Sequence, residues 1–179
     1  KFRWWAGLTF GDILDRAADI HPEKEAFVDG KTRLTYGEAR ERTNKLALGL
    51  IGLGIQPQDR VLVQLPNWNE FVFAYFALQK IGAITVLLID RYRQFEITRL
   101  ISLTGATSWI VASQYKNINY APIIHDVVTE HPEVKNVITV RGDGDPKPFF
   151  SLEKLIEAAD LRPENLARLA ERRPDPMQV

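Results

Sequence analysis

Few stretches of this 179-residue chain combine residue types that could do chemistry. The densest is Asp90-Arg91-Tyr92-Arg93, where two guanidinium groups flank a phenol just after an apolar run. A guanidinium is a planar donor fork suited to a carboxylate or a phosphate, so Arg91, Tyr92 and Arg93 are the candidate substrate-binding residues. The plainer reading, which the residues alone favour, is a solvated loop in which Arg91 or Arg93 pairs with Asp90 or Glu96. His21 and His131 each precede a proline at the end of a helical pattern, where an imidazole suits the negative end of the helix dipole. His125 falls mid-helix without partners at metal-ligand spacing. Asp143 and Asp145 lack the third acid, the glycine and the distal glutamate of a calcium loop, so turn chemistry accounts for them.

Other chemistries are excluded by what is missing. Gly49, Gly52 and Gly54 do not form G-x-G-x-x-G and close a helix instead of opening one, which argues against a dinucleotide site. No G-x-x-x-x-G-K-[ST] or G-x-S-x-G occurs, and there are no cysteines to serve as nucleophiles, metal ligands or disulfides. No complete catalytic constellation is present.

Lys plus Arg and Asp plus Glu both number 23, so the formal charge is zero and no basic surface for nucleic acid is implied. The longest apolar runs fall far short of the ~20 residues of a membrane helix, and Lys1-Phe2-Arg3-Trp4-Trp5 lacks a signal-peptide core. Without cysteines or a leader, the expectation is a soluble, cytoplasmic protein. The first residue is not methionine, which reads as an excerpt of a longer protein. Trp4 and Trp5 are expected in the core.

The elements that must position the candidates centre on residues 57–90. Residues 61–65 and 84–89 are apolar runs, and between them the spacing predicts a helix over 67–81 with almost no polar face. Two such strands joined by a helix make a βαβ unit, both strands covered on both faces. The helix then needs further protein packed over it.

Upstream, Thr9–Asp12 and Thr35–Glu38 read as capping boxes, and Asn67 with Glu70 as a third, box-like cap. Asp29-Gly30 between short apolar segments signals a β-hairpin. Tyr36, Ala39, Thr43, Leu46, Ala47, Leu50 and Leu53 form one face of a long helix. Downstream, a helix runs through Phe95, Ile97, Leu100, Ile101 and Leu103 to Gly105, then a buried strand at 108–112, a helix at 120–129 and a strand at 136–140.

This alternation predicts an α/β fold: a doubly wound, mainly parallel sheet flanked by helices, with a small N-terminal β-hairpin. The α/β core is expected over 8–141. Residues 142–179 are expected as a loop, two short surface helices (151–159 and 163–172) and a connector, with Met177-Gln178-Val179 starting a strand. Uncovered apolar surface makes self-association an expectation.

Leu34-Thr35-Tyr36-Gly37-Glu38, followed by an amphipathic helix ending at Gly54, resembles the opening segment of the adenylate-forming (AMP-binding) enzymes. Asp59-Arg60-Val61 through Leu65-Pro66-Asn67, then Glu70-Phe71 and Ala77-Leu78-Gln79-Lys80-Ile81-Gly82-Ala83, resembles their next segment. Glu96-Ile97 and Thr104-Gly105-Ala106 continue the likeness in order, so that it covers residues 8–140. Asp90-Arg91-Tyr92-Arg93 before Glu96-Ile97 is similar to the aryl-acid ligases of that family, such as 2,3-dihydroxybenzoate-AMP ligase. One departure is Thr85–Leu88, where these enzymes often carry a proline.

The resemblance implies the N-terminal subdomain, 1–179, of an acyl- or aryl-acid ligase akin to acyl-CoA synthetases. A carboxylic acid would attack the α-phosphate of ATP, held with Mg2+, to give an acyl-adenylate. The thiol of coenzyme A or of a carrier protein's pantetheine would then displace AMP. The family's Ser/Thr/Gly-rich phosphate loop, its magnesium acid, its ribose aspartate and its C-terminal lysine have no counterpart in these 179 residues. The expectation is therefore that this stretch carries no catalytic or cofactor-binding residue and is inactive alone. The alternative is a non-catalytic, Rossmann-like binding or interaction module.

Overall fold

The computed structural model describes residues 7–30, 32–142 and 149–177. Trp4, Trp5, Asp143, Asp145, Gln178 and Val179 lie outside them. Helix α1 (Phe10–Ile20) opens on its capping box, the Asp12 amide donating to Thr9 Oγ1 at 3.2 Å and the Thr9 amide to Asp12 Oδ2 at 2.6 Å. His21 closes it, its amide reaching the Ala17 carbonyl at 2.9 Å. Strands β1 (Glu25–Asp29) and β2 (Thr32–Thr35) form the expected hairpin, Asp29 pairing with Thr32 across a turn in which Gly30 has φ +58°. The Thr35–Glu38 box starts α2 (Tyr36–Gly52), and its apolar face turns inward with Ala39, Leu46, Ala47 and Leu50 fully buried.

The remaining elements are β3 (Arg60–Gln64), α3 (Asn69–Lys80), β4 (Ile84–Leu87), α4 (Gln94–Thr104), β5 (Ser108–Ala112), β6 (Gln114–Tyr115), β7 (Ile118–Asn119), α5 (Ala121–Glu130), β8 (Asn136–Val140), β9 (Phe149–Ser151), α6 (Leu152–Ala158) and α7 (Pro163–Glu171). The main sheet is parallel throughout, in the order β4-β3-β5-β8-β9. The path leads outward from β3 to β4, then returns across β3 to β5, β8 and β9. Helices α1, α2, α3 and α6 pack on one another, while α4 packs on α5, which is the doubly wound arrangement. Val61, Leu62, Val63, Trp109, Ile110, Val111, Val137 and Ile138 are fully buried in the three central strands. Burying each such aliphatic side chain stabilises the fold by about 1.5–3 kcal/mol.

No residue of α3 is exposed, because α1 and α2 supply the covering the sequence demands. The helices approach closely at Gly11, where an added Cβ would stand 2.7 Å from Lys80 Cγ. Lys80 is only 8% exposed, and its ammonium pairs with Asp15 Oδ1 at 2.5 Å. Burial pushes its pKa down, with Asp15 opposing the shift.

The structure corrects the sequence reading at several points. The Asn67–Glu70 cap does not form: α3 starts at Trp68 without a side-chain cap, Asn67 is exposed, and Glu70 turns to a distant arginine. Strand β4 is not covered on both faces. Among the described residues it pairs only with β3, and Ile84, Leu87 and Ile89 are 40–57% exposed. Ile97 and Ile101 of α4 are fully buried, but Phe95 and Leu103 point outward at 74% and 69% exposure. Strand β9 and the β6–β7 hairpin are additions that two- and three-residue strands cannot signal by alternation. Helices α6 and α7 are not merely superficial, since Leu152 is fully buried and Leu169 nearly so. Met177 lies in a turn with its amide on Asp175 Oδ1 at 2.9 Å, not in a strand.

Candidate functional site

In open parallel sheets, ligands bind outside the carboxyl ends of the strands. Here that edge is made by Leu65-Pro66-Asn67 after β3, Leu88–Arg93 after β4, Ser113 after β5 and Arg141 after β8.

The segment after β4 is held from below and from the side. The Leu88 amide extends the ladder to the Val63 carbonyl at 2.9 Å. Gln64, 1% exposed, donates from Nε2 to the carbonyls of Ile89 (3.2 Å) and Tyr92 (2.9 Å). Tyr120 Oη donates to the Asp90 carbonyl at 2.7 Å. Arg93 Nη1 donates to the same two carbonyl groups, Asp90 at 2.9 Å and Tyr92 at 2.7 Å, and its guanidinium lies 5.6 Å from the Tyr120 ring centroid. The Arg93 amide donates to Glu96 Oε2 at 2.9 Å, and this bond holds the Glu96 carboxyl below its usual range. Burial, outweighing Arg93, pushes the Tyr120 phenol upward.

The three candidates therefore divide. Arg93 braces its own loop through carbonyl oxygens, not through the carboxylates expected of it. Tyr92 is half-buried against the core. Arg91 is exposed and unpaired among the described residues. The nearby Lys116 stands 3.9 Å from Asp90 Oδ2 with 65% of its side chain exposed, a weak pairing.

An open cleft of about 430 Å³ lies beside this loop, walled by Pro66, Trp68, Phe71, Leu88 and Tyr115 with Asp90 at its polar side. Trp68 meets Tyr115 edge to face, ring centroids 5.6 Å apart. Behind Trp68 stands Arg141, its guanidinium 3.9 Å from the indole centroid. The same guanidinium bonds both oxygens of Glu70 at 3.0 Å and also reaches Asp29. Burial works against its charge, but the bonds to Glu70 and Asp29 outweigh that and raise its pKa. Arg141 has φ +56° and its amide donates to Glu153 Oε1 at 2.7 Å. The next residue fits only as glycine, because a Cβ on Gly142 would fall 1.9 Å from Ser113 Oγ.

A second cleft of about 460 Å³ lies between α2, α3 and α6, with Glu38, Glu41, Glu70, Glu153 and Glu157 around it. Its cations are engaged, Lys45 with Glu41 at 2.7 Å and Arg42 over Phe73, so a phosphate is not welcome there. Among the described residues no three His, Cys, Asp or Glu side chains are placed to hold a metal ion, and no helix is long and apolar enough to cross a membrane. His21 and His131 cap α1 and α5 through their backbone amides. The His131 imidazole pairs with Glu133 at 2.8 Å, and His125 is exposed.

Sequence reasoning missed Gln64, Trp68 and Tyr120 at this edge, together with the partners of Arg141. Gln64 carried a signal, as a polar residue ending an otherwise apolar strand. Arg141 carried none, since its partners lie 71 and 112 residues away.

The AMP-binding enzyme family matches residues 14–177. The chain is 37% identical over 161 residues to the salicyl-AMP ligase/salicyl-S-ArCP synthetase of Mycobacterium tuberculosis, covering 87% of this chain and 28% of that protein. It is 39% identical over 151 residues to the 2,3-dihydroxybenzoate-AMP ligase of Bacillus subtilis, covering 84% of this chain and 28% of the relative. Among solved structures, the apo MbtA of Mycobacterium smegmatis superimposes with a TM-score of 0.77 at 34% identity, over 88% of this chain and 28% of that one. The chain thus spans little more than a quarter of the length of these relatives. By sequence and by fold, the chain belongs to the AMP-binding enzyme family.

Proposed function

We propose that this chain forms the N-terminal part of an ATP-dependent aryl-acid ligase. The observation that carries this reading is the match over nearly the whole chain to relatives named for salicyl and dihydroxybenzoyl adenylation. In the proposed reaction a carboxylate oxygen attacks the α-phosphate of ATP and releases pyrophosphate. The thiol of coenzyme A or of a carrier protein's pantetheine then takes the acyl group, and AMP leaves.

The part these residues play is to shape and present the carboxyl edge. Among the described residues Arg91 is the cation free to meet an anion there, while Tyr92 and Arg93 keep its loop in place. The described residues do not fit magnesium, for no acidic cluster is suitably arranged. Glu70, in the first turn of α3, also offers that helix end no welcome for nucleotide phosphates. In this proposal the nucleotide and its metal are gripped by other parts of the ligase, which works in the cytoplasm, and this chain alone is inactive. The exposed Ile84, Leu87, Ile89, Phe95 and Leu103 are the apolar surface through which it would associate.

Pyrophosphate exchange with a panel of aryl and aliphatic acids tests the reading. The full-length protein is expected to exchange with aryl acids, and the 179-residue chain with none. A full-length protein that ignores aryl acids, or turnover by the short chain, would overturn it.

A further inference from the structure

Helix α1 has two unlike flanks. On one, Phe10, Ile13 and Ile20 are half exposed or more. On the other, Asp12, Asp15 and Asp19 are spaced as helix neighbours and form one acidic stripe. Each aspartate meets a cation from a different part of the fold. Asp12 takes both prongs of Arg173, from the segment after α7, at 2.9 and 2.8 Å. Asp15 pairs at 2.5 Å with Lys80, the last residue of α3, and Asp19 pairs with Arg40 of α2.

Little apolar burial backs these pairs. The helix packs on α2 and α3, and the side chains it buries there are Leu14 and Ala18. A seam cleft of about 240 Å³ runs beside it, lined by Asp12, Asp15, Asn44, Lys80 and Arg173. Asn44 keeps a buried Oδ1 without a hydrogen-bond partner among the described residues, so the seam is not closed by matched polar contacts. The side chains of Asp15, Arg173 and Asp19 are 40%, 45% and 69% exposed, so dissolved ions reach every pair. Singly such pairs are weak, but these share one rigid helix and break together when it lifts.

We propose that α1 is an ionic strap: its aspartate stripe holds it across α2, α3 and the segment after α7, and rising ionic strength releases it as a unit while the parallel sheet stays folded. Release uncovers Lys80, which the strap covers at close range because Gly11 has no Cβ to hold the two helices apart. The device belongs to the chain itself and works whatever acid the parent protein activates.

The test is amide hydrogen exchange of the 179-residue chain, followed by nuclear magnetic resonance, with lysine acetylation by acetic anhydride read in parallel by mass spectrometry. Sodium chloride is raised from about 0.05 M to about 1 M, which shortens the screening length from more than ~10 Å to ~3 Å. The amides of α1 are expected to exchange roughly three- to tenfold faster at high salt, with those of β3, β5 and β8 unchanged. Lys80 is expected to become acetylated in step. Combining Asp12→Asn, Asp15→Asn and Asp19→Asn should give fast exchange in α1 already at low salt, with no further response. Should that variant fail to fold, Arg40→Gln removes the most exposed pair alone and is expected to lessen the salt response of α1; an unchanged response would overturn the ionic hold, as would exchange in the wild-type α1 that is indifferent to salt. Exchange that quickens equally in β3, β5 and β8 would show that α1 opens only with the whole fold and would overturn the strap. Lys80 that stays unlabelled while α1 exchanges quickly would overturn its covering role.

Discussion

Two arginines at the same sheet edge solve different problems. Arg93 bonds carbonyl groups one and three residues back, so it stiffens a loop that it belongs to. Arg141 joins the hairpin, the start of α3 and Trp68, regions that are 71 and 112 residues away in sequence. The first is a local brace and the second a tertiary clamp. Breaking the first should be felt mainly within residues 89–93, while breaking the second or its surroundings should be felt across the fold.

The largest effect is expected beside the clamp. Gly142→Ala places a Cβ 1.9 Å from Ser113 Oγ and 2.6 Å from Ser113 Cβ. The chain after β8 must shift to relieve this, at a cost of about 1–3 kcal/mol. Ser113→Gly removes both clashing atoms, so the double variant should recover most of the melting temperature lost by the single one. If the single variant melts like the wild type, the junction at Arg141 is softer than the contrast requires.

The next effect comes from another long-range pair, at the other end of α3. Asp15→Asn leaves the buried Lys80 ammonium without its anion. For a fully buried pair the loss would be about 3–5 kcal/mol, but Asp15 is 40% exposed, so about 1–2 kcal/mol is expected. Lys80→Met in the same chain removes the stranded charge and should restore stability in urea unfolding. The sign with pH is fixed by the depressed Lys80 pKa. The folded state gives up that proton more readily than the unfolded one, so Asp15→Asn should regain stability as pH rises toward the unfolded lysine pKa. A variant whose deficit is the same at pH 7 and pH 10 would show that the ammonium is not the cause.

The division between local and distant contacts also explains how much was legible in the sequence. Both N-terminal capping boxes, the Gly30 hairpin and the Gly105 helix end were readable, because each joins residues three or four apart whose chemistry leaves few alternatives. The parallel sheet was readable from its continuous apolar strands. The Asn67–Glu70 cap was misread because a local signal lost to a distant one: Glu70 is taken by Arg141, which no spacing rule connects to it. The exposure of β4 was misread for a similar reason, as an apolar run does not say which strand ends up at the edge. At the site, the sequence marked Asp90–Arg93 as polar and well placed. It could not show that Gln64 and Tyr120 would hold the loop, nor that Arg91 would stand unpaired among the described residues.

Arg93→Lys tests the local side of the comparison. It removes the planar donor that bonds the Asp90 and Tyr92 carbonyl groups, but Gln64 and Tyr120 still hold both. A loss of about 1 kcal/mol or less is expected, with faster amide hydrogen exchange confined to residues 89–93. Exchange that quickens throughout β3, β5 and β8 would show that this brace is tertiary after all.

The smallest effect probes a clamp at the far end of the chain. Arg173 Nε and Nη2 bond the two oxygens of Asp12 at 2.9 and 2.8 Å, linking the segment after α7 to the first turn of α1. Arg173 holds the Asp12 carboxyl down from 3.8 to about 2, burial opposing it and the Thr9 amide helping. A carboxyl depressed in the folded state stabilises it above the unfolded pKa, and this contribution fades as pH falls through the folded one. Arg173→Gln should therefore cost about 0.5–1 kcal/mol at pH 7, since the arginine side chain is 45% exposed and solvent screens the pair. Its difference from wild type should shrink between pH 4 and pH 2. Because the pair spans 161 residues while its arginine is 45% exposed, against 8% for Lys80 in the Asp15 pair, it separates sequence distance from burial. If Arg173→Gln costs as much as Asp15→Asn, sequence distance sets the cost of breaking a contact; if it costs far less, burial does.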